Sequence, residues 1–301
     1  MIQTKTAKFC ILTAGILSLP ALSIAGTYTH SHSSGKDKTI LEKAHESCIT
    51  GDIGLDIVSQ YIARGIPLEN QGAILQPYID LSLKIYEGGG ALSKVSVDLS
   101  FWNSFHSRHT GAAVGSTTAS WFESDFVAGL SFTFAKNFII SPYYHSYVSP
   151  NDAFDQAHDL GVRLAYDDHD LWGSGFALHP YGLVQWDIDG TSGNGGDKGV
   201  YFEVGVSPGM ACGPVYLSLP IKAGFGTSNY YAGDENFGYL SVGARAEYKL
   251  AFVPGCLGDW SIHGEATYYR LGDATKGANV PVIRDEDENE WVFGGGLKVA
   301  F

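Results

Sequence analysis

Three stretches of this chain carry side chains whose types and spacing could do chemistry. Residues 105–111, FHSRHTG, set His106, Ser107 and His109 close together. A serine nucleophile within hydrogen-bond reach of a histidine base would be the start of a lipid hydrolase. Residues adjacent in sequence point apart on a strand, however, and no G-x-S-x-G stretch is present. The run Asp285-Glu286-Asp287-Glu288 offers carboxylates for calcium, or for a cation bridge to lipopolysaccharide, but lacks the spacing of an EF-hand loop. His30 and His32 pair up without an acid or thiol at ligand spacing. A loop or solvated tail accounts better for all three. No catalytic residue, metal ligand or cofactor is assigned from them.

A larger constellation recurs at every second position. Asp52, Asp56, Arg64, Asp80, Lys84, Lys94, Asp98, Glu123, Asp125, Arg163, Asp187, Glu203, Lys222, Arg245, Glu247, Lys249, Glu265 and Lys298 share one parity of their segments, and apolar side chains hold the other. Charges within a membrane span are tolerable only where they meet water or partners, so this parity predicts a polar interior. Arg64, Lys84, Lys94, Arg163, Arg245 and Lys298 would form a basic wall. Asp56, Asp80, Asp98, Glu123, Asp125 and Glu265 would form an acidic one. A water-filled pore passing small hydrophilic solutes fits this lining. A salt-bridged plug fits it equally. Tyr143, His145 and Tyr147, in the stretch PYYHSY, together with Tyr181 and Tyr269, would fill a narrow interior or stack on a passing sugar or nucleoside.

The elements that must position these residues are strands. From Gly51 onward, Ile53, Leu55, Ile57 and Tyr61 alternate with Asp52, Asp56, Gln60 and Arg64. Later segments repeat the dyad near 75–85, 94–101, 121–135, 137–148, 157–167, 176–188, 199–210, 214–226, 237–250, 259–271 and 289–301. That makes about twelve strands of about 10–14 residues, with helical periodicity nearly absent. Brief connections alternate with longer polar ones at 65–72, 104–119, 149–156, 187–198, 227–236 and 272–288. The expected fold is therefore all-β: a transmembrane antiparallel up-and-down barrel with short periplasmic turns and longer extracellular loops. The last segment, WVFGGGLKVAF, would close the ring against the strand beginning near Gly51. A soluble sandwich shares the alternation. Its strands are shorter than these, and it has no reason to place Tyr61, Tyr86, Trp121, Phe134, Trp186, Tyr248, Trp260, Tyr268 and Trp291 toward strand ends, as two interfacial girdles would.

Residues 1–25 combine Lys5 and Lys8, an apolar run and Ser23-Ile24-Ala25, the layout of a cleaved secretory signal peptide. Residues 26–50 read as a flexible periplasmic lead. Acidic residues outnumber basic ones 32 to 19, which argues against nucleic acid as a partner. The expected surroundings are outer-membrane lipid and lipopolysaccharide. Cys212 and Cys256 fall in short connections on one side, and Cys48 just precedes the first strand on that same side. An oxidising compartment would allow a disulfide between two of the three, with Cys212–Cys256 the favoured pair.

Residues 58–65, VSQYIARG, resemble the TorF-type porins, whose first strand ends in a Ser-x-Tyr-x-x-Arg-Gly stretch. The segments QPYIDLS (76–82), LSFWNS (99–104) and PYYH (142–145) are similar to further strands of that family. The resemblance is clearest over residues 51–150. It implies an outer-membrane barrel with a transport function, and the terminal Phe301 matches the signal read by the barrel-insertion machinery. It supplies no solute and no established functional residues.

Overall fold

A strand with aliphatic groups on one face and carboxylates on the other needs apolar surroundings for the first and water or ionic partners for the second. The computed structural model describes residues 47–108, 120–172, 175–227, 229–232, 235–276 and 287–301. The expected signal peptide, residues 26–46 of the lead, His30, His32, His109, Asp285 and Glu286 lie outside the described residues.

The strands are β1 (Ile49–Val58), β2 (Tyr61–Ala63), β3 (Ile66–Glu69), β4 (Ile74–Glu87), β5 (Leu92–His106), β6 (Trp121–Phe134), β7 (Phe138–Val148), β8 (Ala157–Tyr166), β9 (Phe176–Ala177), β10 (Tyr181–Asp187), β11 (Val200–Val206), β12 (Gly209–Cys212), β13 (Val215–Ser218), β14 (Ile221–Gly226), β15 (Phe237–Lys249), β16 (Asp259–Leu271) and β17 (Asn289–Ala300). All except β2 and β3 belong to one antiparallel sheet that closes on itself. Three crossings are each made of two pieces: β9 with β10, β11 with β12, and β13 with β14. The ring therefore has the expected twelve strands. Each break carries a proline, at Pro180, Pro208 and Pro220, and a residue without an N–H cannot donate to the ladder. Register is nonetheless kept across the breaks: Gly209 faces Ala177 and Gly205 faces Tyr181.

Closure is made by β1 and β17, paired from Asp52↔Ala300 to Val58↔Gly294. One residue beyond, Gly51 and Phe301 exchange both backbone hydrogen bonds, each 3.0 Å. The apolar final row thus has paired neighbours on both sides, β16 and β1.

The outer surface is oily. Ile53, Leu55, Ile57, Leu83, Phe101, Leu164, Val204, Leu240 and Phe293 all stand exposed on it. Trp121, Trp186 and Trp291 ring the end with long loops, and Tyr86, Phe134, Phe138, Tyr248 and Phe301 ring the end with short turns. β17 has 12 residues. At about 3.3 Å per residue and about 45° tilt such a strand crosses roughly 28 Å, the thickness of a bilayer's hydrocarbon. The inward face is polar, with Gln76, Ser82, Asp98, Ser131, Asp159, Gln185, Glu203 and Thr267 buried there. Inward tyrosines lie over glycines on neighbouring strands: Tyr78 over Gly54, Tyr143 over Gly161, Tyr181 over Gly205 and Tyr239 over Gly224. Each ring occupies the volume a neighbouring side chain would need, so an added Cβ at any of these glycines collides with it.

Two expectations are corrected. The first strand ends at Val58 rather than running on through Arg64, so Tyr61 is buried inside the ring and belongs to no outer girdle. No disulfide joins Cys212 to Cys256: Cys212 ends β12, and Cys256 lies in a 3-10 turn over Gly255–Leu257.

The turn between β8 and β9 is built on Asp168. Its carboxylate accepts backbone N–H groups of Leu178 (2.7 Å) and His179 (2.9 Å) and the indole N–H of Trp172 (2.6 Å). Burial by itself would raise this carboxyl's pKa, but the donors outweigh it and hold the pKa below the usual aspartate value. The resulting stability is present above the unfolded-state pKa of about 3.9. It is lost as pH falls through the lower folded value. Thermal unfolding in detergent should show Asp168→Asn less stable than wild type at neutral pH, with the gap narrowing toward pH 3. On the outer face, Leu55→Arg should destabilise the barrel by about 2–4 kcal/mol in urea titrations of lipid-inserted protein. An arginine accepted there without loss would remove the bilayer from the account.

Candidate functional site

The segment after β1 turns into the ring instead of leaving it. β2 and β3 form a hairpin whose tip, Arg64-Gly65, has φ of +51° and +84°, the left-handed pair that a tight two-residue hairpin turn requires. Ile62 is fully buried, and Tyr61 and Ile66 nearly so. On one side Tyr61 donates from its hydroxyl to Glu123 of β6 at 2.8 Å and packs against Trp102 and Phe122. On the other, Gly65 lies so close to Tyr239 of β15 that a Cβ would collide with its ring. β6 and β15 are six strands apart in a ring of twelve. The hairpin therefore spans the barrel from wall to wall.

Arg64 is the hub of this crossing. Its guanidinium pairs with Asp159 of β8 at 3.4 Å and stacks over the Tyr147 ring at 4.6 Å. It also donates to Tyr230 Oη and, at 3.2 Å, to the Ser192 carbonyl. Tyr231 donates its hydroxyl back to the Arg64 carbonyl at 2.8 Å. Gln185 donates to Asp159 and to Tyr147 Oη. The loop bearing Ser192 is fastened by Asp187, whose carboxylate accepts N–H groups of Asp189, Gly190 and Ser192. Around this hub Tyr201, Tyr230, Tyr231 and Tyr269 are almost wholly buried. The long-loop end of the lumen is filled by chain.

Below the hairpin the charges lie along the wall. Glu203 accepts three tyrosine hydroxyls: Tyr181 at 2.6 Å, Tyr201 at 2.7 Å and Tyr239 at 2.5 Å. Arg163 stacks over Tyr181 at 4.7 Å, and Lys222 is buried on β14, next to β11. Asp98 accepts from Ser82 and Ser131. Asp80 is buried opposite Asp52. Arg245 pairs with Glu265 at 2.8 Å and Glu247 at 3.5 Å, and Lys298 reaches Glu247 at 2.8 Å. His145 meets Asp125 at 2.9 Å and stacks on Tyr147. Lys84 pairs with Glu87 at the short-turn rim, where Lys94 is exposed. Tyr143 on β7 donates across β8 to Gln185 on β10 at 3.3 Å.

Acidic Asp56, Asp80, Asp98, Glu123 and Asp125 come from the adjacent strands β1, β4, β5 and β6, whereas Arg163, Lys222, Arg245 and Lys298 come from the rest of the ring. The two walls are not pure, because Asp159, Glu203, Glu247 and Glu265 share the second arc. Asp159 escaped the sequence reading although it has the parity of Arg163, four residues on. Tyr230 and Tyr231 carried no signal at all, since parity is silent in a loop. The Ser–His contact that does form is Ser104 Oγ with His106 Nε2 at 2.7 Å. Both are buried behind Tyr61 and Phe122, away from the oily surface. Ser107 instead accepts the Ala73 N–H.

The sequence matches no family model and no curated protein. Among solved structures the fold is similar to the COG4313 outer membrane channel from Pseudomonas putida F1, with TM-score 0.51 and 10% identity over 87% of this chain and 100% of that one. The NanC porin aligns at TM-score 0.48 and 9% identity, over 82% of this chain and 98% of its own. The KdgM porin in complex with disordered oligogalacturonate aligns at TM-score 0.41 and 9% identity, over 84% and 99%. At such identities the shared feature is the barrel.

If Arg64 holds the hairpin in place, trypsin should leave the bond after Arg64 intact in the folded wild-type barrel. Asp159→Asn combined with Tyr230→Phe should expose that bond, read as new fragments by mass spectrometry. Equal protection in the variant would mean that the hairpin is held by its apolar packing alone.

Proposed function

We propose that this chain is an outer-membrane channel for small hydrophilic solutes, narrow and of mixed charge, whose extracellular entrance is gated by its own first hairpin. The observation that carries this reading is the crossing of the lumen by residues 61–69 above a wall of charged side chains. A protein that needed only a rigid cylinder could fill its centre with packed apolar groups. This one lines the centre with Asp, Glu, Lys and Arg. The acids of β1, β4, β5 and β6, set against the paired acids and bases of the remaining strands, would set a field across the path, and solutes with separated charges or many hydroxyls would orient in it. The inward tyrosines offer faces for a sugar ring. Displacement of the hairpin opens the path; its docking on Asp159 and Tyr230 closes it.

In this reading residues 1–25 direct export and are removed, and the short turns face the periplasm. The outer girdles sit in lipid and lipopolysaccharide, and the strand ending at Phe301 is read by the insertion machinery. The likeness of residues 58–65 to TorF-type porins supports the same assignment, and in this chain the motif builds the gate. Lipid hydrolysis has no support from the site, because the Ser104–His106 pair faces inward.

A second reading rests on the complete partnering of Arg64: a permanently closed barrel that works through its outer loops. Planar-bilayer recordings separate the two. Replacing residues 61–69 by a short Gly-Ser linker should raise single-channel conductance several-fold over wild type, with a reversal potential in a salt gradient. A correctly folded replacement that stays silent would leave the closed barrel standing.

A further inference from the structure

The triple glycine in WVFGGGLKVAF places two inward gaps on β17, at Gly294 and Gly296. Gly296 is the register partner of Asp56 on one side and of His263 on the other. Gly294 is the partner of Glu265. With no side chain between them, groups from β1 and β16 reach each other across the intervening strand. A Cβ at residue 296 would collide with both Asp56 Oδ1 and the His263 ring. The gap is shaped by its neighbours.

What meets there is not a finished hydrogen-bond network. The His263 side chain has no exposed surface, yet neither ring nitrogen makes a hydrogen bond, and Asp56 Oδ1 makes none either. Buried imidazoles almost always have partners. His263 Nε2 lies 3.2 Å from Asp56 Oδ1 in an orientation that forms no hydrogen bond. Two ligands of one tetrahedral zinc ion, each about 2.0–2.1 Å from the metal, sit about 3.3 Å apart. Glu265 completes the group: one donor atom from each of Asp56, His263 and Glu265 lies within 4.8 Å of the others. Arg245 occupies Glu265 Oε2 and leaves Oε1 for a further partner.

We infer that Asp56, His263 and Glu265 hold a divalent transition-metal ion of the zinc class against the lumenal wall. One imidazole with two carboxylates suits zinc and its neighbours, whereas calcium and magnesium take oxygen ligands. Three protein ligands leave a fourth position to water from the lumen. The ion ties β1 to β16 over β17, and so clamps the seam where the ring closes. It lies below the hairpin, and the inference does not depend on whether the lumen conducts.

The test uses the full mature chain in detergent, stripped with EDTA and titrated calorimetrically with Zn²⁺ alone. Wild type should bind one ion per barrel. His263→Gln and Asp56→Asn should each weaken binding by more than about 100-fold, beyond what loss of an outer-shell partner costs. Replacing His30 and His32 by alanine should leave the same stoichiometry. Co²⁺ in place of Zn²⁺ should give the visible absorption of a low-coordinate site in wild type, absent in His263→Gln. The gel mobility of unheated samples reports that each variant is folded, and Gly296→Ala, which keeps all three ligands but fills the gap, should also lose the ion. The inference is overturned if the stripped wild type shows no saturable binding, or if a folded His263→Gln barrel binds as wild type does.

Discussion

Everything in this molecule follows from the cost of an unpaired backbone group in hydrocarbon. Each N–H or C=O left without a partner there costs several kcal/mol, so a membrane-spanning sheet has to close. The reciprocal bonds between Gly51 and Phe301 complete the ring. The usual distribution of side chains is then inverted. Leucine, valine and phenylalanine face out, and carboxylates face in, because the solvent outside is lipid and the interior is the polar side. Both the oily girdle and the charged wall are consequences of one closed ladder.

Inside that ladder, the hairpin and the wall obey opposite rules. The wall tolerates charge because strands deliver acids and bases opposite one another, as with Arg245 between Glu247 and Glu265. The hairpin tolerates burial because it brings its own core, Ile62 and Ile66, and a single cation, Arg64, that meets a single buried acid, Asp159. Desolvating a charge pair is costly unless further hydrogen bonds share the load. Tyr230, Tyr147 and the Ser192 carbonyl around Arg64 provide them.

Strand positions were legible in the sequence because a period of two is imposed by the pleat itself, and a lipid face tolerates few exceptions. The number of strands, the alternation of short and long connections, and the closing role of the last segment all follow from that period. The path of residues 59–69 did not. Tyr61, Ala63 and Arg64 continue an alternating pattern whether the chain runs on or folds back, and only the Arg-Gly turn with its positive φ values decides between them. Partnerships across the lumen were also out of reach. Parity says that Asp159 points inward, but not that a loop arginine ninety-five residues earlier in the chain will meet it. His263 shows the same gap: its parity was readable, but the vacancy opposite it depended on which glycine of three fell in register.

The prolines within the strands bear on the life of the chain before it reaches a membrane. Twelve amphipathic strands of high β-propensity travelling through water are twelve templates for stacking with strangers. Pro77, Pro142, Pro180, Pro208 and Pro220 shorten the run of consecutive donors that any one segment can offer to a foreign edge. The native ring keeps its register around each of them, whereas a fibril, which repeats one segment against itself, would meet the missing donor at every layer. The same substitution that costs the barrel a few ladder bonds thus acts as a safeguard against aggregation in transit.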